Sequence, residues 1–459
     1  MRIFTRDKEF YKTLVILAIP IALQNFIAYA VNFIDNLMVG QLEEYVISGV
    51  YMGNQIHTLL QFAIAGVTGA LTILGTQYWG KKDKESICRL TGVATRIALL
   101  FGVIITAISY IIPNELMWLF TEDTLVIREA VTYLRVVCWS YIFFCISQVL
   151  IASMQCVEKV RVGLYLSIVT LFTNVSLNYV LIFGKLGLPA MGIRGAALAT
   201  VISRVIEAAV MLVYVLAVDK KLSLNFGHFF QKGGVLLRDM LRYGAPVFGG
   251  QIVWAINNLA QGSIVGHLSV EAISSISIAG NLNMLLFMIV IGFGVALGII
   301  TGKTVGAGKY EKMKEYAITS QVLFVLVGVF LGAVLFLLRK PYLSLYELSP
   351  ETIEVANQFI IVLAVALVGR CYQATTLSGL VKAGGDTGFV FKMDIIFVFL
   401  IVLPSAIIAQ TVFHAPAWVV YLCLQSDQII KCFVALVKIN RFNWMKNLTR
   451  EMETAPQSE

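Results

Sequence analysis

IPIALQNFIAYAVNFIDNLMVG, residues 19–40, and APVFGGQIVWAINNLAQGSIVG, residues 245–266, are the stretches on which the fold turns. They superimpose at one constant offset: Pro20 falls on Pro246, Asn25 on Gln251, and Val39-Gly40 on Val265-Gly266. The offset runs on without a gap into the following loops, where Gly80 meets Gly306 and Glu85 meets Glu311. At about 1.5 Å per residue, an apolar run of this length crosses a bilayer core of roughly 30 Å. The chain therefore reads as two related halves, each opening on a membrane helix with a proline near its start.

The rest of the chain agrees. Of its 459 residues, 58% are hydrophobic and 14% charged, against roughly 45–50% and 25% in soluble domains. A water-soluble fold has no interior for so much apolar surface, and disorder or a small disulfide scaffold is excluded on the same grounds. Twelve spans are expected near 13–39, 48–79, 93–113, 130–153, 163–184, 193–217, 240–266, 273–303, 317–338, 354–381, 389–410 and 416–438. The expected fold is an all-α polytopic membrane protein of twelve transmembrane helices in two pseudo-symmetric six-helix bundles. The divisions are residues 1–218, a polar linker at 219–239, residues 240–438 and a tail at 439–459. Six helices per half give both halves the same orientation, with a pseudo-two-fold along the membrane normal and a central cleft. A cleaved signal ending at Ala28-Tyr29-Ala30 is the lesser reading, because the apolar run continues through Val39 and its copy lies far from either terminus.

The formal charge of +8 is not a nucleic-acid footprint. Basic residues gather in alternate loops: Lys81, Lys82, Lys84 and Arg89; Lys159 and Arg161; Lys220, Lys221, Lys232 and Arg238; Lys309, Lys312 and Lys314; Lys382. The other loops hold Glu43, Glu44, Glu115, Glu122, Asp123 and Glu271, with Lys185, Arg194, Arg339 and Lys340 as exceptions. The positive-inside bias places both termini in the cytoplasm of a cell-membrane protein. Seven cysteines and four histidines show no metal or redox spacing, and no phosphate loop, nucleophile elbow or HExxH helix is present. No enzyme, cofactor, metal centre or nucleic-acid partner is expected.

Polar groups inside the spans carry the functional signal, since each ionisable group there costs roughly 2.5–3.5 kcal/mol. In the first span Asn32 lies two helical turns after Asn25, with Asp35 and Asn36 a further turn on, so all share one face. The amides are expected to hydrogen-bond between helices. The repeat copies the stripe as Gln251, Asn258 and Gln261 but not the charge, since Asp35 corresponds to Gln261. No lysine or arginine of the first span is within helical reach of Asp35. Such a carboxylate is expected to act as a proton switch or to hold Na⁺ with neighbouring amide and hydroxyl oxygens. Asn174 and Asn178 are one turn apart, and Thr200 precedes an Arg204–Glu207 pair that reads as a structural salt bridge, as does Asp427–Lys431. Asp394 is a candidate gate or structural group, and Arg370 faces the cleft or pairs with backbone.

Several blocks resemble the multidrug and toxic compound extrusion (MATE) family. They are LAIPIALQNFIAYAVNFIDNLMVGQL (17–42), GTQYWGKKDKE (75–85), LNYVLIFGKLGLPAMGIRGAALATVISR (177–204), GLVKAGGDTGFVFKMDIIFVFLIVLPSA (379–406) and FNWMKNLT (442–449). The resemblance implies a two-lobed antiporter that expels amphipathic, usually cationic, drug-like compounds in exchange for H⁺ or Na⁺. It places an ion-coupling site at Asp35, Asn174, Asn178 and Thr200. Some members carry an aspartate at the position of Asn178, and some carry acids in the seventh and tenth helices. Here the seventh helix offers Gln251 and Gln261 and the membrane part of the tenth offers no acid, so coupling concentrates on Asp35. Lys382 stands where the family often has arginine.

Substrate-cleft candidates are Asn32, Gln251, Asn258, Gln261, Met284, Met288 and Arg370, with Phe62 and Phe287 beside them. A monomer surrounded by membrane lipid is expected. The rival reading is a flippase for lipid-linked precursors, which needs cleft cations for anionic headgroups. A receptor or membrane-embedded enzyme would not need two homologous halves, and a channel calls for a pore-lining ring of like residues that the sequence does not show.

Overall fold

The structure is a computed structural model and describes residues 4–231, 233–266, 268, 270–346 and 349–450. Lys232 and His267 lie outside the described residues, as do the side chains of Glu44 and Glu271.

Twelve long helical segments follow in order among the described residues. They are α1 (Lys8–Val39), α2 (Glu44–Gly80), α3 (Lys84–Ile111) and α4, broken into Thr124–Val137 and Ser140–Cys156. Next come α5 (Arg161–Phe183), α6 (Gly192–Val213), α7 (Gly234–Gly266), α8 (Val270–Gly306) and α9 (Tyr310–Leu343). Then come α10 (Pro350–Gln373, continued by a π-helical stretch to Lys382), α11 (Thr387–Ile396, a π-helical turn, then Leu403–Thr411) and α12 (Ala417–Leu424 with Asp427–Asn440). Ends fall where the sequence supplies caps. Asp7 and Asp83 accept backbone N–H bonds from Glu9 and Ser86, Ser349 caps α10 ahead of Pro350, and Gly184 closes α5 with a left-handed φ of 66°.

By length and apolarity ten helices among the described residues can cross a membrane, or eleven when the two parts of α4, bent by 54°, count as one span. The remaining expected span is α7. It is long enough at 33 residues, but Arg238, Asp239 and Arg242 near its start and its later glycines and amides make it less apolar than the others. Several helices begin earlier than expected, α3 at Lys84 rather than residue 93, because charged first turns project beyond the apolar run.

Two hydrophobic cores form, one mainly from α2 to α6 and one mainly from α8 to α12. The first helix of each half is exchanged at its root. Phe10, Leu14 and Ile21 of α1 are buried in the second core, while their repeat mates on α7, Leu236, Met240 and Val247, are buried in the first. At the end of the bundle that carries the basic loops, α2 and α8 cross in backbone contact. A Cβ on Gly80 would overlap the Lys303 carbonyl, and one on Gly306 would overlap the Gln77 carbonyl. These two glycines are the repeat-related pair, and only the absent side chain permits the approach. At the other end, Gly262 of α7 and Gly280 of α8 face open space.

Candidate functional site

The polar stripe of α1 resolves into two kinds of group. Asn25 and Asn32 donate from their side chains to the carbonyls of Ile21 and Ala28, each 3.0 Å away on their own helix. The expected interhelical bonds of these amides are therefore not made; each satisfies itself one turn back. Asp35 does reach across: Asn178 of α5 donates through Nδ2 to its Oδ1 at 2.6 Å and also to Asn174 Oδ1 at 3.1 Å. Asn174 and Asn178 are both buried, and among the described residues Asn178 Oδ1 has no hydrogen-bond donor.

A cavity of about 60 Å³ lies against these groups, with room for a few waters or a partly dehydrated cation. Asp35, Asn174, Asn178 and Thr200 all line it. The Thr200 hydroxyl donates to the Ala196 carbonyl at 3.1 Å. A second cavity, of about 310 Å³, continues toward Gln24 and Asn25 and shares Asn32, Thr170 and Arg204 with the first.

No ion pair to Asp35 occurs among the described residues. Arg204 lines the same cavity, but its guanidinium is bound to Glu207 Oε2 at 2.6 Å, in keeping with their spacing of one helical turn. The wall residues not singled out from sequence include Asn54, His57 and Tyr133. The Tyr133 hydroxyl donates to Asn54 Oδ1 at 3.2 Å, and His57 stacks on Tyr141 with its Nε2 3.2 Å from Gln61 Nε2. Asn54, His57 and Gln61 lie at i, i+3 and i+7 of α2, the spacing of one helical face. That periodicity is the signal in the sequence that could have found them; a search of the histidines for metal spacing alone passes over it.

In the second half the polar groups are dispersed. Gln261 donates to the Leu424 carbonyl at 3.4 Å, Asn258 and Met284 are exposed, Gln251 is half-buried and Met288 is buried. None of these lines either cavity. The Arg370 guanidinium carbon sits over the Phe287 ring, 3.7 Å from its centroid, with no carboxylate in ion-pair range among the described residues. The expected Asp427–Lys431 pair is corrected: Lys431 binds Asp394 on α11 instead, and Asp427 takes a hydrogen bond from Gln428 at 2.8 Å. The bridge ties α11 to α12.

Comparison with known proteins bears on the same regions. The family model MatE matches residues 20–180 and again 246–433, so the two matches begin on the repeat-related Pro20 and Pro246. A probable multidrug resistance protein NorM of Thermotoga maritima is 26% identical over 450 residues, covering 96% of this chain and 95% of its own. The multidrug resistance protein MdtK of Photorhabdus laumondii is 25% identical over 415 residues, covering 88% and 89%. Among solved structures, a MATE protein in complex with MaL6 superimposes with a TM-score of 0.85 at 18% identity, covering 94% of this chain and 96% of its own. A MOP superfamily transporter of Pyrococcus furiosus gives the same score and identity over 95% and 96%.

Proposed function

This chain belongs to the MatE family of membrane transporters, and from that membership we propose that it is a secondary-active multidrug efflux antiporter. It exports amphipathic, cationic, drug-like compounds in exchange for H⁺ or Na⁺ and acts as a monomer. The basic end of the bundle is cytoplasmic, with both termini on that side. The closed crossing of Gly80 and Gly306 then marks an outward-facing state. The halves 1–218 and 240–438 rock against one another about that crossing.

The observation that carries the reading is the Asp35 carboxylate, held by Asn178 in a small polar cavity with no cation paired to it among the described residues. It faces an amide oxygen, Asn178 Oδ1, that has no donor there. An anion and spare oxygen acceptors in one cavity suit a proton or a small cation. When that charge is neutralised, the hydrated face of α1 loses its reason to stay hydrated, the helix repacks and substrate is displaced outward. The deciding experiment is dye efflux from proteoliposomes under an imposed pH gradient and, separately, an imposed Na⁺ gradient, with Asp35→Asn as control. Efflux driven by neither gradient overturns the proposal.

One observation favours the flippase reading: Arg370 on Phe287 is a cation without a carboxylate partner among the described residues. Lipid flipping without dye efflux, abolished by Arg370→Gln, would select it.

A further inference from the structure

A cavity of about 520 Å³ opens at the basic end, between the root of α1, the ends of α2 and α8, and the start of α9. Lys82, Lys84, Lys303, Lys309 and Lys312 line it, against two carboxylates, Glu9 and Glu158. Lys303 is bound to Glu158 and Lys312 to Asp7, each at 2.7 Å. Among the described residues Lys82, Lys84 and Lys309 have no ion pair. Lys82 is also held at a φ of 65°, and its repeat mate is Gly308 at 72°. A lysine thus occupies a backbone position that favours glycine. Phe10, Trp79 and Ile300 complete the wall with apolar surface.

The pseudo-two-fold mate of this cavity is filled, and its filling shows what such a place can hold. The repeat carries Lys303, Thr304 and Ala307 back onto Gln77, Tyr78 and Lys81, and Thr13 forward onto Asp239. All four mates bind the chain's own tail. Gln77 accepts from Leu448 N–H at 2.7 Å, and Tyr78 accepts from Arg450 N–H at 3.3 Å. Lys81 donates to the Arg450 carbonyl at 3.2 Å, and Asp239 takes the Arg450 guanidinium at 2.7 and 2.8 Å.

The linker that leaves the first half begins the same way. Lys159–Asp219 mirrors Asp386–Lys446 with the charges exchanged and the repeat register slipped by a single position. The linker then turns away onto α3, where His228 meets Glu85 at 3.3 Å. The place that the tail fills on one side is therefore an open, lysine-rich cavity on the other.

We propose that this cavity binds the phosphate headgroup of an anionic phospholipid from the leaflet at the basic end. Lys82 and Lys84 on one half and Lys309 on the other share the phosphate, while the acyl chains leave past the half-buried Trp79 into the bilayer. Surplus positive charge beside an apolar wall at the membrane boundary fits a lipid phosphate better than a soluble one. Because the bound phosphate would join both halves, it adds to the contact that shuts this end.

The test is native mass spectrometry of the full chain released from micelles containing phosphatidylglycerol and phosphatidylcholine. Wild type is expected to retain one phosphatidylglycerol in preference to phosphatidylcholine. K82Q/K84Q/K309Q is expected to retain at least tenfold less. The charge-matched control K185Q/R194Q/K340Q, on exposed residues of the other end, is expected to retain as much as wild type. All three substituted lysines of the site are exposed, and an unchanged thermal midpoint checks that the variant is folded. Equal retention by the site variant and wild type, or no preference for phosphatidylglycerol, overturns the proposal. So does inorganic phosphate stabilising wild type and not the site variant in lipid-free detergent, which would make the ligand a soluble anion.

Discussion

Asp35→Asn should separate energy coupling from stability. The substitution removes a charge and keeps the shape and one acceptor oxygen. Among the described residues the carboxylate receives one hydrogen bond, from Asn178 at 2.6 Å, and no ion pair. Hydrogen bonds to a charged group contribute about 1.5–3 kcal/mol and neutral ones about 0.5–1.5, so weakening this bond costs about 1–1.5 kcal/mol. Against that, an ionised carboxylate at the bilayer centre costs roughly 2.5–3.5 kcal/mol. Asp35 lies one turn from the end of α1, where about half of that penalty, ~1.5 kcal/mol, is a fair share. The two terms nearly cancel.

The Asn variant should therefore unfold thermally within about 3 °C of wild type. Had Asp35 been one partner of a buried salt bridge, its removal would cost about 3–5 kcal/mol. Activity should respond differently. A pH gradient of one unit supplies about 1.4 kcal/mol per proton, a tenfold substrate gradient at one proton per cycle. In proteoliposomes the variant should hold no gradient at all. A variant that keeps ion-driven efflux, or that loses about 3 kcal/mol of stability, refutes the reasoning.

Four further outcomes follow from the structure. Arg204→Met leaves Glu207, whose side chain is 5% exposed, without its cation; this should cost about 3 kcal/mol, and adding Glu207→Gln should recover much of it in thermal unfolding. Gly306→Val forces a side chain into the Gln77 backbone and should destabilise the closed crossing by about 1–3 kcal/mol, read as a broadened distance distribution between spin labels on the two halves at that end. Trp444→Ala empties a fully buried site where the tail packs on Gly384 and should lower stability by about 3–5 kcal/mol. Lys312 and Tyr316 hold the Asp7 carboxyl below its ordinary 3.8, at about 2. A depressed carboxylate contributes stability that is complete above about pH 4 and lost as pH falls through 2, so the acid-unfolding profile of Asp7→Asn should lack a component in that window.

The repeat made much of this legible in the sequence. One offset, read from prolines, glycines and amides, marked out the halves, and Phe10 and Leu236, like Ile21 and Val247, are buried at repeat-related positions in opposite cores. Asp35, Asn174, Asn178 and Thr200 were brought together by spacing and by resemblance. The structure gathers them on one cavity because three helices, α1, α5 and α6, converge there. What escaped was pairing across helices. Lys431 chooses Asp394 over Asp427, and no count along one helix can rank a partner on another. His57 escaped because a histidine without metal spacing carries little signal until a neighbouring helix supplies Tyr141 for it to stack on. The exchange of helix roots escaped too, since periodicity says which face is apolar and not which body buries it.

In the proposed mechanism that exchange makes α1 the natural carrier of coupling. Its first three turns are fixed in the second core through Phe10, Leu14, Leu17 and Ala18, while Asp35, near its other end, is tied to α5 of the first half. A helix anchored in both bodies must flex when one rocks against the other. The weak point is set by sequence. Pro20 cannot donate to the carbonyl four positions back, and the Asn25 side chain donates to the Ile21 carbonyl just beyond it. α7 has the same root exchange and Pro246 in the same place, but Gln261 where α1 has Asp35. Both helices can bend, and in the proposed mechanism only α1 carries the group that takes up the ion. Moving the acid by the double substitution Asp35→Gln and Gln261→Asp therefore should not restore coupled efflux. Gln261 lines neither polar cavity and is committed to the Leu424 carbonyl, so an aspartate there lacks the Asn178 donor and the spare amide oxygen. Recovery of ion-driven efflux in that double variant would show that the hinge alone suffices and that the cavity around Asp35 is dispensable.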